Sequence, residues 1–343
     1  MRNPTIKDIA QQAGVGVATV DRVLNRRAPV RQETEAKVMA AATLLGYRFP
    51  QGLPDTSHAF RTGTSIKMGF ILLPEDYSFY YPFSQQLRQQ AAPWHQDDDR
   101  PEFHFHAIDA IEATAARIRE LATRVNVIGL VALDNPLIRH AVEEVTRRGV
   151  KVFALLSDLS PCGHTGYIGL DNRKAGRTAA WAVERLQRKN GKIGIIIGDH
   201  QFLCQETCEI SFRSYLRERM AGHQILEPVK SHESIAGGYQ AAMQLLQQHP
   251  DLSVIYAPCG GVEGVIRATA EHGRRETLTL ISHGPFADSD LALINGTVDL
   301  IIGHRLAELS STVIDAFRQA VLDNNSGFIN HTCPFELLTA ENC

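Results

Sequence analysis

The chain has 343 residues, of which 44% are hydrophobic and 21% charged, the profile of a folded protein of two or three domains rather than a disordered one. Its net charge of −3 is uneven: residues 1–62 carry +4 and the rest −7, so nucleic-acid contact is expected only at the head. No apolar run approaches the roughly 18 residues of a membrane span, and polar Asp8, Gln11 and Gln12 leave no signal-peptide core. The expectation is a cytoplasmic chain without membrane contact, its thiols reduced.

In the head, Thr5-Ile-Lys-Asp8 reads as a capping box, followed by Ile6, Ile9, Ala10 and Ala13 at helical spacing. Gly14 stops that helix in the left-handed conformation. A second helix is predicted over 17–25, with Val20, Val23 and Leu24 facing inward. A third is predicted over 32–45, burying Val38, Ala41, Ala42 and Leu45. Two short helices joined by a glycine-containing turn, with a third across them, match helix-turn-helix geometry, although a three-helix bundle without a DNA role fits the same pattern. The outward face of the second helix favours the DNA reading. Val17, Ala18 and Arg22 lie there, with Thr19, Asn25, Arg26 and Arg27 nearby. Arginine bonds a guanine edge bidentately, small apolar groups meet a thymine methyl, and the polar flank suits phosphates.

The run Thr5-Ile-Lys-Asp-Ile-Ala-Gln-Gln-Ala-Gly-Val-Gly-Val-Ala-Thr-Val-Asp-Arg-Val-Leu-Asn25, continued by Val30, Thr34, Lys37-Val38, Ala41-Ala42 and Leu45-Gly46-Tyr47, closely resembles the lactose/galactose-repressor (LacI/GalR) family. The resemblance implies that Val17, Ala18 and Arg22 read bases and that Thr5, Thr19 and Asn25 position phosphates, with Arg26 beside them. Three departures bear on affinity and operator sequence. Asp21 stands where the family usually has Ser, and its carboxylate repels phosphate or pairs with Arg22. Gly16 replaces a usual Ser, and Arg31 replaces a common helix-capping Ser, a loss of ~1 kcal/mol.

Residues 50–66 are rich in turn formers and mark the boundary between a head of 1–49 and a body of 67–343. The family usually holds a hinge helix here, with a leucine wedged into the minor groove. Here Pro50 and Pro54 intervene. Phe60 is the candidate wedge, and a flexible tether with Phe60 packed on the body is the other reading.

The body alternates short apolar runs with helical patterns, the sign of strand-helix-strand units around parallel sheet. Strands are predicted at 67–73, 103–108, 127–133, 150–156, 192–197, 253–257, 279–282 and 298–303. Helices are predicted at 85–91, 111–124, 137–148, 173–189, 209–221, 235–248, 262–272 and 306–324. That much sheet implies two similar lobes, with ligands bound beyond the carboxyl ends of the strands. His200, Cys204 and Cys208 share a helical spacing, but two thiols and one imidazole are incomplete for structural zinc, and buried thiols are the plainer reading. No metal and no cofactor is expected.

Met68-Gly-Phe-Ile-Leu-Leu73, Ile168-Gly-Leu-Asp-Asn-Arg-Lys-Ala-Gly-Arg177, His249-Pro-Asp-Leu-Ser-Val-Ile-Tyr-Ala257, Ile281-Ser-His-Gly284 and Leu293-Ile-Asn-Gly-Thr-Val298 resemble the same family's type I periplasmic-binding-protein-like sensor. The implied fold class is α/β: a small all-α helix-turn-helix head plus a two-lobed, doubly wound parallel-sheet domain that closes on a sugar, polyol or related polar metabolite. Positions after strands are the candidate ligand contacts: Asp76, Phe79, Tyr80 and Phe83, then Asp134, Asp158, Cys208, Cys259, His283 and His304. Several depart from the family. Cys259-Gly260 replaces a frequent Asn-Asp, His283 a common Asp, His304 a frequent Gln, and Cys208 an arginine that often binds sugar. These changes count against a simple hexose and point to an anionic or derivatised ligand met by His200, His283 and His304, unless those imidazoles are structural. Asp171 reads as a helix cap.

The function expected is that of a ligand-responsive repressor, a homodimer on a near-palindromic double-stranded DNA operator, with a small-molecule effector. A transport-type sugar-binding protein, or a sensor for something other than a sugar, is the alternative. Gly-x-Ser-x-Gly, phosphate-loop and Gly-x-Gly-x-x-Gly motifs are absent from the sequence, so an enzyme is not expected.

Overall fold

The structure is a computed structural model that describes residues 5–25, 34, 37, 38, 41, 42, 45, 66–94, 99–187, 190–220, 222–322 and 327–343. The chain divides into two compact units, Met1–Ser65 and Ile66–Cys343.

In the first unit, α1 (Ile6–Ala13) begins at the expected capping box: Asp8 N–H donates to Thr5 Oγ1, and Thr5 N–H donates to Asp8 Oδ2 at 2.7 Å. Gly14 ends the helix at φ 66°, where a side chain would be strained, and its N–H returns to the Ala10 carbonyl. The turn leads into α2 (Val17–Asn25). Ile9, Ala10, Val20, Val23 and Leu24 form one core with Val38, Ala41 and Ala42, which are helical in the region of the third predicted helix. Leu45, expected on that buried face, is instead exposed at a turn.

The second unit holds two six-stranded sheets. Its elements in chain order are β1 (Met68–Leu72), α3 (Tyr80–Ala91), β2 (Glu102–Phe105), α4 (Ile111–Leu121), β3 (Val127–Leu130), α5 (Pro136–Arg147), β4 (Lys151–Leu155) and β5 (Gly166–Leu170). There follow α6 (Asn172–Leu186), β6 (Lys192–Ile197), α7 (Leu203–Arg219), β7 (Val229–Lys230), α8 (Ile235–Gln248), β8 (Leu252–Ala257) and α9 (Val262–Glu271). The chain finishes with β9 (Thr279–Gly284), α10 (Ser289–Ile294), β10 (Leu300–His304), α11 (Leu306–Leu322), β11 (Ile329–Cys333) and β12 (Phe335–Leu338).

Strand order is β11-β5-β4-β3-β1-β2 in the first sheet and β12-β10-β9-β8-β6-β7 in the second, parallel throughout except for the antiparallel β12 on β10. Strands such as β3 and β8 are buried along their whole length, as parallel strands covered by helices on both faces must be. The chain passes between sheets three times: after β5, after β10, and between β11 and β12. Four strands lay outside the sequence expectation. β5 has glycine at two of its five positions, β7 has two residues, and β11 and β12 carry a mixed polar pattern that reads as tail until the sheets claim it. Helix α7 starts six residues earlier than predicted, because Phe202 is anchored in the first lobe's core and the chain turns helical directly after it.

Aromatic rings fill the cores. Phe70 stacks on Phe317 at 5.4 Å and Phe153 on Phe317 at 5.3 Å in the first lobe; in the second, Phe212 stacks on Tyr256 at 4.5 Å. Helices α8 and α9 meet more closely than any side chain allows. A Cβ at Gly264 would sit 1.9 Å from the Ile235 carbonyl oxygen, and one at Gly238 would sit 2.1 Å from that of Gly261. Alanine at Gly264 gains about 1 kcal/mol of helix propensity but must force the helices apart, at about 1–3 kcal/mol or more. We therefore expect Gly264→Ala to lower the stability measured by chemical denaturation of the full chain. An unchanged or raised midpoint would contradict this close contact.

Candidate functional site

The head presents one exposed face. Val17 is 45% exposed although apolar, Ala18 and Arg22 are exposed beside it, and Thr19 and Asp21 are half-buried. Thr5 is exposed at the start of α1, and its hydroxyl donates to Asp8 Oδ2 at 2.7 Å, so it serves the cap as well as the surface. Asn25 closes α2. Arg26, Arg27, Phe60 and the whole 50–65 segment lie outside the described residues. An exposed apolar pair one turn from an arginine on a convex helix is a surface for groove edges: methyl contact from Val17 and Ala18, and a planar fork of donors from Arg22.

In the second unit, the carboxyl ends of both sheets meet at a cavity of about 310 Å³, at the small end of the roughly 300–1,000 Å³ range for small-molecule pockets. The first lobe contributes Asp76, Tyr77, Ser78, Phe79 and Tyr80 from the turn after β1, and Leu156 after β4. The second contributes Asn172, Cys204, Gln205 and Cys208 from the starts of α6 and α7. Glu233 to Ile235, Pro258 to Glu263, His283 to Phe286, and His304 complete its side.

At the floor, Glu233 is almost fully buried. It accepts hydrogen bonds from Gln205 Nε2 at 2.8 Å and from Gly260 N–H at 3.0 Å, while Gln205 Oε1 accepts from Gly198 N–H at 2.6 Å. Burial raises the Glu233 carboxyl above its usual range, against the pull of those two donors. Its backbone is left-handed at φ 58°, as is that of His232 at φ 51°, a conformation that costs each residue about 1–3 kcal/mol. The turn is held by Glu233 N–H donating to Ser231 Oγ at 3.2 Å and His232 N–H to the Gly198 carbonyl at 3.1 Å. Sequence reading passed over Glu233 and Gln205; neither belongs to a motif, and only the strained turn after β7 aims the carboxyl inward.

Two imidazoles form a second wall. His283 Nε2 lies 3.0 Å from the Tyr256 hydroxyl, and the His304 ring stands edge-on to Phe79 at 5.2 Å. Both face the cavity from deep within the protein. Desolvation, joined for His283 by the neighbouring His304, lowers their pKa values to about 3 and about 4, so both are neutral at physiological pH. His304 Nδ1 and Glu263 Oε2 are buried without a hydrogen-bond partner among the described residues.

The cysteines at the wall are inert thiols. Burial raises Cys204 to about 12 and pushes Cys208 and Cys259 up as well. Cys208 Sγ donates to the Asn172 carbonyl at 3.4 Å, and Cys259 Sγ to that of Ile196 at 3.3 Å. Among the described residues no three His, Cys, Asp or Glu side chains are placed to hold a metal ion.

Of the ligand contacts expected from sequence, Asp76, Phe79, Tyr80, Cys208, Cys259, His283 and His304 line this cavity, Asp76 at its exposed rim. Three do not. Phe83 is fully buried beneath β1, one helical turn beyond Phe79 and facing the core. Asp134 spends both carboxylate oxygens on its own lobe: Arg139 at 2.8 Å, and the Ser160 amide and hydroxyl at 3.1 and 2.6 Å. Asp158 pairs with buried His164 at 3.0 Å; burial opposes the imidazolium, but that contact and the one to Cys162 outweigh it and raise His164 to about 9. His200 is exposed and not part of the wall, while Asp171 caps α6 through the Lys174 amide.

The lobes touch around the cavity. Ser78 Oγ, from the first, donates a short hydrogen bond to Glu263 Oε1 of α9 in the second. Asp134 N–H donates to the Gln201 carbonyl at 2.9 Å, and Cys204 N–H to Ser157 Oγ at 3.3 Å. The lobes are thus joined by polar contacts around the cavity and three chain crossings, an arrangement suited to hinged closure on a ligand.

Comparison with known proteins agrees with this architecture. Residues 89–324 match the periplasmic binding protein domain, and residues 5–49 match the lacI family of bacterial regulatory proteins. The chain therefore belongs to the periplasmic-binding-protein-domain family and carries the lacI-type helix-turn-helix at its N-terminus: it is a DNA-binding regulator with a ligand-binding body. The HTH-type transcriptional regulator GalS of Salmonella typhimurium is 45% identical over 76 residues, a match spanning 22% of this chain and 21% of GalS. An uncharacterized HTH-type transcriptional regulator of Streptomyces limosus is 26% identical over 287 residues, covering 79% of this chain and 75% of that protein. Among solved structures, an ABC transporter solute binding protein from Agrobacterium vitis with bound D-fucose superposes with a TM-score of 0.74 at 18% identity, covering 80% of this chain and 96% of its own.

The histidine wall makes the protein acid-sensitive in a defined window. The unfolded chain protonates these imidazoles near pH 6.5 while the folded protein does not until about pH 4 and about pH 3. Their contribution to stability is complete above pH 6.5 and lost as pH falls below it, by on the order of 1 kcal/mol per ring per pH unit. The stability gap between wild type and His283→Gln/His304→Gln should accordingly narrow between pH 6.5 and 4.5 in thermal denaturation. A gap that stays constant with pH would contradict the assigned protonation.

Proposed function

We propose that the protein is a cytoplasmic repressor that binds a near-palindromic operator as a homodimer and releases or engages it in response to a sugar-like metabolite held between the lobes. The observation that carries this reading is the pairing in one chain of an exposed Val17-Ala18-Arg22 face with a small cavity, largely apolar but holding a few convergent polar groups, where the carboxyl ends of two parallel sheets meet. GalS, similar to the head, is a transcriptional regulator, and the Agrobacterium vitis protein, similar in the fold of the body, has D-fucose bound; both support the reading.

The head occupies residues 1–49, with 50–66 as the connecting segment and 67–343 as the sensing and dimerising part. Val17, Ala18 and Arg22 read base edges, while Thr5, Thr19, Asn25 and Arg26 set the phosphate register and Phe60 meets the operator centre. One short helix reaches few base pairs, so two copies on two half-sites supply the specificity. A ligand that binds the closed lobes better than the open ones shifts the population of DNA-competent dimers by that difference in affinity. The chemistry is binding and signalling, not turnover.

Selection of binding sites from random DNA tests the first half. Arg22→Ala should lose roughly 1–3 kcal/mol of discrimination at one position in each half-site. Retention of the same site preference would remove Arg22 from the reading surface. Binding should also weaken steeply as salt rises, since phosphate contacts release counterions; an affinity independent of salt would count against docking led by the basic head.

A further inference from the structure

The walls of the cavity carry a one-sided charge inventory. Three carboxylic acids line it, Asp76 at the rim, Glu233 at the floor and Glu263 between the lobes, and among the described lining residues there is no Lys or Arg. We infer that this site takes an uncharged, hydroxyl-rich ligand and rejects the same skeleton once it bears a phosphate or a carboxylate, an inference that rests on the sugar-like reading above.

The geometry runs in the same direction. Glu263 gives one oxygen to the Ser78 hydroxyl across the cleft, and its other oxygen is buried with no protein donor among the described residues. A buried carboxylate oxygen left without a donor is costly, and a ligand hydroxyl supplies one where a ligand anion brings repulsion. His304 Nδ1 offers a second unpartnered atom on the same cavity. The two imidazoles do not substitute for a missing cation, since desolvation keeps them neutral.

Five helices, α3, α6, α7, α8 and α9, begin at the cavity, and helix starts attract anions, but several of their first-turn amides are bonded within the protein, that of Lys174 in α6 by Asp171. The Gly260 amide ahead of α9 is taken by Glu233, and the Gly264 amide by the Gly261 carbonyl. At α8, Ser234 Oγ accepts from the Gly237 amide. At α7, the Phe202 carbonyl accepts from the amides of Gln205 and Glu206. Glu206 and Glu263 add negative charge in the first turns of α7 and α9. An uncharged ligand departs from the sequence expectation of an anionic or derivatised one met by histidines: His200 is off the wall, and desolvation keeps the other two neutral.

The test is a thermal-midpoint titration of the full-length protein at pH 7.5 with matched sets built on one skeleton. D-galactose, D-fucose and galactosamine are set against galacturonate and galactose 6-phosphate, with dissociation constants measured for every member that shifts the midpoint. Uncharged members are expected to bind at least about tenfold tighter than their anionic counterparts, because a like charge within a few ångströms in a poorly solvated site is strongly unfavourable. Glu263→Gln should narrow that ratio, since the amide removes one repelling charge and still accepts from Ser78 or donates to the ligand. An anionic member binding as tightly as its uncharged parent overturns the inference and leaves the sugar reading standing. A second panel of non-sugars in the same charge classes, nucleosides against nucleotides and amines against carboxylic acids, separates the two claims. Binding confined to uncharged or cationic non-sugars overturns the sugar reading but supports the charge rule. Silence across both panels overturns both.

Discussion

Every functional feature of the body depends on one topological constraint: the chain crosses between the two sheets three times, and both sheets aim their carboxyl ends at the same gap. Parallel strands connected by helices leave their loops at that end. Residues from eight separated segments therefore converge on one small cavity although they lie far apart in the chain. The crossings also limit how the lobes can move, because three chain connections permit hinging better than separation. The polar contacts at the mouth, Ser78 to Glu263 among them, are few enough to be exchanged for ligand contacts.

The cavity shows how burial turns ordinary side chains into specific ones. Glu233, held in a left-handed turn and bonded by Gln205 and Gly260, is a carboxyl whose proton is favoured by desolvation. His283 and His304 are imidazoles that the same desolvation keeps neutral. Cys204, Cys208 and Cys259 are thiols denied the thiolate. None of these states follows from residue type. They follow from the cost of placing charge where water is excluded, and among the described lining residues they leave carboxyls without a lysine or arginine.

The head works by the opposite logic, from local terms. The Thr5–Asp8 capping box, the left-handed Gly14 and the inward Ile9, Val20 and Leu24 each act within a few residues. Because the apolar stripe of α2 is consumed by the core, Val17, Ala18 and Arg22 are left outside. Asp21, at the edge of that face, is half-buried rather than projecting.

What was legible from sequence divides along the same line. Helix starts, the helix-turn-helix, the alternation that makes parallel sheet and the positions of most strands all arise from interactions of short range, so periodicity and capping residues carried them. Asp76, Phe79, Tyr80, His283 and His304 were also legible as lining residues, because the carboxyl ends of the strands of such a sheet open toward the cleft. Phe83, Asp134 and Asp158 were misplaced for want of orientation: whether a side chain one turn into α3 faces cleft or core depends on the helix's rotation against its sheet, and the two loop carboxylates are drawn to Ser160 with Arg139 and to His164. Glu233 and Gln205 went unseen because a turn after a two-residue strand has no signature. The sequence alone thus determined the class of protein, the reading helix and the existence of a cleft. Tertiary structure decided which groups meet in that cleft and with what charge, because desolvation and convergence depend on neighbours that the chain brings from a distance.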